Sequence, residues 1–174
     1  KELSIVCATH NNEKKLFQTV LQILKSSILP QEIIIVSTSF KYKEYCLDKN
    51  FGEQNLGEWQ GLKYEKLQEI TKEIDVFHPT WLCNPDYTPP GGESYNNLYN
   101  RVTSGIENII KTRKEGDIVI FSHGGPIKAA IAHAIKADPN YTLPFWIDNL
   151  AVSRFDFLDN VCRVRFINLL PKII

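Results

Sequence analysis

The stretch Asp117-Ile-Val-Ile-Phe-Ser-His-Gly-Gly-Pro126 decides the fold. Asp117 to Phe121 is a short run of β-branched and aromatic residues bounded by polar groups, the pattern of a strand buried on both faces. His123 stands where that strand gives way to a loop. Gly124, Gly125 and Pro126 then carry a backbone with little side-chain bulk into a helix predicted over Pro126 to Ala137. In open α/β sheets, ligands bind at the carboxyl edge of the strands. Free N–H groups and the macrodipole at such a helix start favour an anion and suit a phosphate. A His at this place acts as a nucleophile, an acid or a phosphate donor, or it simply caps the strand through backbone bonds.

Working towards the N-terminus, Leu3 to Ala8 reads as a buried strand that ends at Thr9, His10, Asn11 and Asn12, so a second His stands at a strand end. Lys14 to Ser26 carries Leu16, Val20, Ile23 and Leu24 at helical spacing, with Pro30 beyond, and Ile33 to Val36 is a second short central strand. Glu65 to Ile74 is a predicted helix, followed by a loop-rich stretch with Pro79, Pro85, Pro89, Pro90, Gly91 and Gly92. Ser94 caps a further helix to about Lys111, with Leu98, Val102, Ile106, Ile109 and Ile110 on one face. Towards the C-terminus, Ala151 to Phe157 and Val161 to Ile167 alternate apolar and polar residues around Asp159 and Asn160, a hairpin signal. The interleaving predicts a three-layer α/β/α sandwich whose mixed central sheet is mostly parallel.

The whole chain of 174 residues, 1–174, fits one domain large enough to bury a core without disulfides or metal. Its 20 Lys+Arg balance 20 Asp+Glu, which argues against a polybasic nucleic-acid binder and an acidic disordered tail. No apolar run approaches the ~20 residues of a membrane span, so no membrane or nucleic-acid partner is expected. With Met absent even at position 1, Lys1 is not expected to be the first codon. Cys7, Cys46, Cys83 and Cys162 are irregularly spaced, with no CxxC pair and no zinc spacing. They read as reduced, mostly buried thiols of a cytosol-like compartment, and no metal or cofactor is expected. His78, beside Pro79, and His133, on the helix after Pro126, read as structural. Trp59, Trp81 and Trp146 read as core or lid packing, since no basic stripe accompanies them. Lys41, Lys43 and Lys49 either attract an anionic substrate or form a solvated face.

Four ordered stretches then carry a resemblance. Phe121-Ser-His-Gly-Gly-Pro-Ile127 is similar to the second-histidine motif of the histidine phosphatase superfamily, the phosphoglycerate-mutase-like enzymes. Phe51 to Gly61, FGEQNLGEWQG, resembles that family's segment with the catalytic acid. Pro89 to Ser94, PPGGES, with Arg101 one helical stretch later, resembles the block of the cofactor-independent and α-ribazole phosphatases. Asp148 to Phe157, with Asn149, is similar to the strand that closes the family's sheet.

The resemblance implies a phosphomonoesterase with a phosphohistidine intermediate, acting on a small phosphorylated substrate without metal or cofactor. By position it makes His10 the nucleophile, His123 the phosphate-binding partner and Glu53 the general acid, with Thr9, Asn11, Lys41, Gly124, Glu93, Ser94 and Arg101 around the substrate. Plainer alternatives stand beside these roles: a solvated loop carboxylate for Glu53, a turn and cap for Glu93 and Ser94, and a helix-surface ion pair for Arg101.

Residues 1–40 depart from the family pattern. Its Arg-His-Gly is Thr9-His10-Asn11 here, and the position of its second arginine, after Ser37-Thr38-Ser39-Phe40, holds Lys41 or Tyr42. The intervals from His10 to Ser37 and from Ser37 to Gly57 are both shorter than is usual in the family. Lysine supplies a point charge in place of a bidentate fork. These departures make a catalytically impaired relative, binding phosphorylated ligands or a protein partner, the alternative expectation. Leu3 to Ser39 also resembles the opening strand, helix and strand of inverting nucleotide-sugar glycosyltransferases, which makes a glycosyltransferase-derived fusion the third. No Asp-x-Asp accompanies it; Asp156 and Asp159 come nearest.

Overall fold

A computed structural model describes residues 2–7, 32–35, 46–72, 84–113, 117–158 and 161–170, with side-chain surroundings from Cys46 onward. In chain order the elements are strands β1 (Glu2–Cys7) and β2 (Glu32–Ile35), helices α1 (Tyr64–Thr71) and α2 (Tyr95–Thr112), strand β3 (Asp117–Ser122), helix α3 (Gly124–Ile135), and strands β4 (Val152–Leu158) and β5 (Val161–Leu169). Short 3-10 turns occupy Lys49–Phe51, Gly57–Trp59 and Pro139–Thr142.

One sheet holds the five strands in the order β2-β3-β1-β4-β5. β3 is parallel to both β2 and β1, whereas β4 is antiparallel to β1 and to β5. The expectation of a mostly parallel sheet is therefore corrected: half of these pairings are antiparallel, because the C-terminal hairpin adds both of its strands to one side of β1. The stretch expected to close the sheet, β4, is interior, and β5 forms the edge.

β3 is the strand its composition predicts. Ile118, Val119, Ile120 and Phe121 are all buried, as a strand flanked on both sides and covered on both faces requires. On α2, Leu98, Val102, Ile106 and Ile109 recur at intervals of three and four, so one stripe of the helix enters the core. The Ser94 Oγ caps that helix by accepting the Asn97 N–H at 3.1 Å. α3 begins at Gly124 instead of Pro126. Glycines there cost little, since a first helical turn leaves its N–H groups without intrahelical partners, and Pro126 sits where no N–H is needed. Ala129, Ala130, Ala132 and Ala134 are buried and let α3 pack closely against the core. α3 ends at Lys136, whose φ of 55° is the left-handed conformation of a helix stop.

One further expectation changes. Cys46 is exposed instead of buried, while Cys162 is partly covered and its thiol is pushed up to about 11 by burial and by the Asp156 charge, which keeps it protonated. Trp59 is core, stacked on Tyr87 at 5.4 Å between centroids, but Trp146 is 80% exposed. His133 is half-buried beside Phe157, a structural position; burial and the charge of Lys136 lower its pKa against the pull of Glu107. The expected helix at Lys14 to Ser26, with His78, Trp81, Cys83, Lys41 and Lys43, lies outside the described residues.

Candidate active site

The parallel register sets the site. Cys7 at the end of β1 is aligned with Ser122 at the end of β3, and the next residue, His123, is the N-cap of α3. The chain therefore leaves β1 and β3 side by side at one edge of the sheet. His10, Thr9, Asn11 and Lys41 lie outside the described residues.

Glu53 is brought to this edge by the loop that follows the Lys49–Phe51 turn. The Ser122 hydroxyl donates to the Phe51 carbonyl at 2.7 Å, tying that loop to the end of β3. The Glu53 Oε1 accepts the Gln54 N–H at 2.9 Å and faces the first turn of α3 so closely that a Cβ on Gly125 would collide with it. The glycine pair thus has two functions: an accessible helix start, and room for a carboxylate beside it. Glu53 itself is exposed.

The loops FGEQNLG and PPGGES fold against each other. Glu58 N–H donates to the Pro90 carbonyl at 2.9 Å, Glu93 N–H to the Asn55 carbonyl at 2.8 Å, and Asn55 N–H to Glu93 Oε1 at 2.9 Å. The two backbones touch at Gly57, whose φ of 55° and contact with Pro90 leave no space for a Cβ.

Arg101 locks the arrangement. Its Nε and Nη2 grip the two Glu93 oxygens at 3.0 and 2.7 Å, its Nη1 donates to the Lys49 and Asn50 carbonyls at 3.3 and 2.8 Å, and Nη2 also donates to the Glu53 carbonyl at 3.0 Å. A guanidinium has five N–H donors, and all are used. Arg101 and Glu93 are thus placed as an ion pair that ties the two loops together, and Ser94 as the cap of α2. Burial alone would raise the Glu93 pKa, but the Arg101 hydrogen bonds and charge, with the Asn55 N–H, outweigh it and hold it below the ordinary 4.5.

Next to Glu53 opens a cavity of about 300 Å³ bounded by Gly124, Gly125, Tyr95, Lys128 and the segment Leu143 to Ile147. Sequence reasoning missed Lys128, Tyr95, Leu143, Phe145 and Ile147, and reads Trp146 as core or lid packing. Lys128 lies one turn into α3 and donates from Nζ to the Leu143 carbonyl at 2.8 Å. Desolvation lowers its pKa, and the Glu53 charge opposes that shift. The Tyr95 hydroxyl is pushed up to about 12, mainly by burial, with the Glu53 and Tyr99 charges adding to it and the Thr142 hydrogen bond working against it. Thr142 Oγ1 lies 3.4 Å from the Tyr95 hydroxyl and 2.9 Å from the Pro139 carbonyl. A carboxylate, a histidine at a strand end and an accessible helix start form a set suited to handling a phosphoryl group.

Comparison with known proteins agrees. Residues 33–170 match the histidine phosphatase superfamily (branch 1). A bifunctional protein of Mycobacterium tuberculosis is 31% identical over 127 residues, covering 72% of this chain and 34% of that protein. A metal-independent phosphoserine phosphatase of Arabidopsis thaliana is 26% identical over 138 residues, covering 79% of this chain and 52% of its own length. The chain thus spans between a third and about half of these relatives. The α-ribazole phosphatase of Shigella flexneri has the same fold, with a TM-score of 0.79 at 15% identity over 98% of both chains. On the extent of the family match, supported by the shared fold, the chain belongs to the histidine phosphatase superfamily (branch 1).

Proposed function

We propose that the chain is a phosphomonoesterase in which His10 is the nucleophile, Glu53 the general acid and His123 a holder of the phosphoryl oxygens. The observation that carries this reading is the pairing of Cys7, three residues before His10 in sequence, with Ser122, the residue before His123, with Glu53 fixed at the adjoining helix start. A neutral imidazole nitrogen of His10 attacks phosphorus as the bond to the leaving oxygen breaks, and Glu53 gives its proton to that oxygen. Water then attacks the phosphohistidine, its proton passes to the Glu53 carboxylate, and phosphate leaves with His10 neutral again. The Gly124 N–H at the helix start, with Thr9, Asn11 and Lys41, supplies further donors to the equatorial oxygens. In this reading the sheet is the middle of three layers, with a helix over Lys14 to Ser26 on one face.

A second reading, a relative that binds phosphorylated ligands with little turnover, is favoured by the five engaged donors of Arg101, which leave it unable to replace an arginine absent at Thr9. Losing one positioned donor typically costs ~10²–10³ in rate. The test is turnover of a phosphomonoester by wild type, His10→Ala, His123→Ala and Glu53→Gln, with acid-labile phosphate on the protein as a second readout. Wild-type turnover lost in His10→Ala and His123→Ala, with Glu53→Gln slowing poor leaving groups more than good ones, supports hydrolysis. Ligand binding without turnover supports the second reading, and turnover untouched by all three substitutions refutes both assignments.

A further inference from the structure

The cavity beside Glu53 contains more than a phosphoryl site needs. It is lined by Gly124 and Gly125 at the helix start, by Glu53, and then by Lys128 and the residues Leu143, Phe145, Trp146 and Ile147, so it runs on past the carboxylate that would protonate the leaving oxygen. Whatever fills it is the group attached to that oxygen. One wall is apolar and aromatic, with Tyr95, Leu143, Phe145, Trp146 and Ile147.

Trp146 is the informative member. Its side chain is 80% exposed, an unfavourable position for an indole that could pack into the core. It is nevertheless fixed. Its Nε1 donates to Asp148 Oδ1 at 2.9 Å, Asp148 Oδ2 accepts from Asn168 Nδ2 at 2.9 Å, and the Asp148 N–H donates to Asn168 Oδ1 at 2.8 Å. A relay anchored on β5 thus holds an exposed aromatic ring at the rim of the cavity. On the cavity wall lies Lys128, whose ammonium uses one N–H on the Leu143 carbonyl, leaving two of its three donors for a ligand among the described contacts. Planar surface and a desolvated cation together select a flat ring carrying an acceptor or a negative charge.

We propose that this cavity is a leaving-group subsite for aromatic phosphomonoesters whose ring bears an anionic substituent, with the ring against Trp146 and the substituent at Lys128. The proposal rests on the phosphatase reading for its chemistry, and its binding test does not. Turnover of 4-carboxyphenyl phosphate, phenyl phosphate and O-phosphoserine is measured in wild type, Trp146→Ala, Trp146→Phe and Lys128→Met. Comparing ratios of kcat/KM between variants cancels the intrinsic reactivity of each ester. Trp146→Ala should lower the preference for phenyl phosphate over phosphoserine about fivefold, as loss of an aromatic contact predicts, and Trp146→Phe should restore most of it. Lys128→Met should lower the preference for the carboxylated ring over the plain one about tenfold, as loss of a charge-assisted hydrogen bond predicts. In parallel, calorimetry measures binding of 4-carboxybenzylphosphonate, which cannot be hydrolysed. Weaker binding in Trp146→Ala and Lys128→Met supports the subsite even if no ester turns over, an outcome that would overturn the hydrolase reading alone. Unchanged binding, or ratios that all move together, overturns the subsite.

Discussion

Replacing Arg101 by Met should destabilise the protein more than any other single truncation of an exposed or half-buried polar residue in the site. The substitution keeps an apolar stem in place and deletes the five hydrogen bonds of the guanidinium. Two of those bonds go to the Glu93 carboxylate and three to the backbone carbonyls of Lys49, Asn50 and Glu53. All five have the charged guanidinium as donor; one such bond is worth about 1.5–3 kcal/mol, and bonds made by one side chain do not simply add. The side chains of the pair retain 22% and 19% exposure, so water screens part of this and part of the cost of the orphaned carboxylate. A loss of about 2–4 kcal/mol remains, or roughly 5–15 °C in melting temperature for a chain of this size. Urea unfolding at neutral pH measures it. Because Glu93 has a lowered pKa in the folded protein, its contribution is fully present above 4.5 and is lost as pH falls through the folded value. The gap between wild type and Arg101→Met should therefore narrow in acid. The Glu93→Gln/Arg101→Met double variant should recover about 1–2 kcal/mol over Arg101→Met, since no charge is left without its partner. A loss under about 0.5 kcal/mol at neutral pH, or one unaffected by Glu93→Gln, would refute the clamp.

Two further outcomes follow from the loops around the site. Gly57→Ala should cost about 2–5 kcal/mol in a thermal melt, because it adds strain at a φ of 55° to a collision with the Pro90 carbonyl; a melt within 2 °C of wild type would contradict the packing of the two motif loops. Ser122→Ala orphans the buried Phe51 carbonyl and should lower stability by about 1–3 kcal/mol. It should also reduce kcat more than it raises KM, since Glu53 follows Phe51 in the loop; equal stability and unchanged kinetics would rule out that tether.

The elements were legible where one physical signal dominated. Uninterrupted apolar residues marked β3, a stripe at intervals of three and four marked α2, and Ser94 marked where α2 starts. The start of α3 was misplaced because Gly124 and Gly125 read as loop, although a first helical turn accepts them. The direction of pairing was not legible, since an apolar run such as β1 suits a parallel or an antiparallel neighbour and here has one of each. In the site, Glu53 and His123 carry their motifs with them. Arg101 does not disclose its task, because its carbonyl partners belong to a loop far away in sequence. For Trp146 the sequence leaves core and lid packing open, and the bond to Asp148 accounts for a ring held in solvent.

The central place of β1 governs how this sheet can be assembled. Among the described strands, β2 and β3 form one half and β4 and β5 the other, and the two halves meet through β1, with Glu2 paired to both Asp117 and Asp156. During synthesis β1 leaves the ribosome before either partner exists, so a short apolar strand waits with both edges unpaired until β3 has been made, and with one edge unpaired until β4 follows. Pairing of this kind is slow, because the loops must close before any contact rewards them. The waiting strand is the segment most open to wrong partners, and a chaperone that shields it would act on the same six residues that later set the candidate site's edge of the sheet.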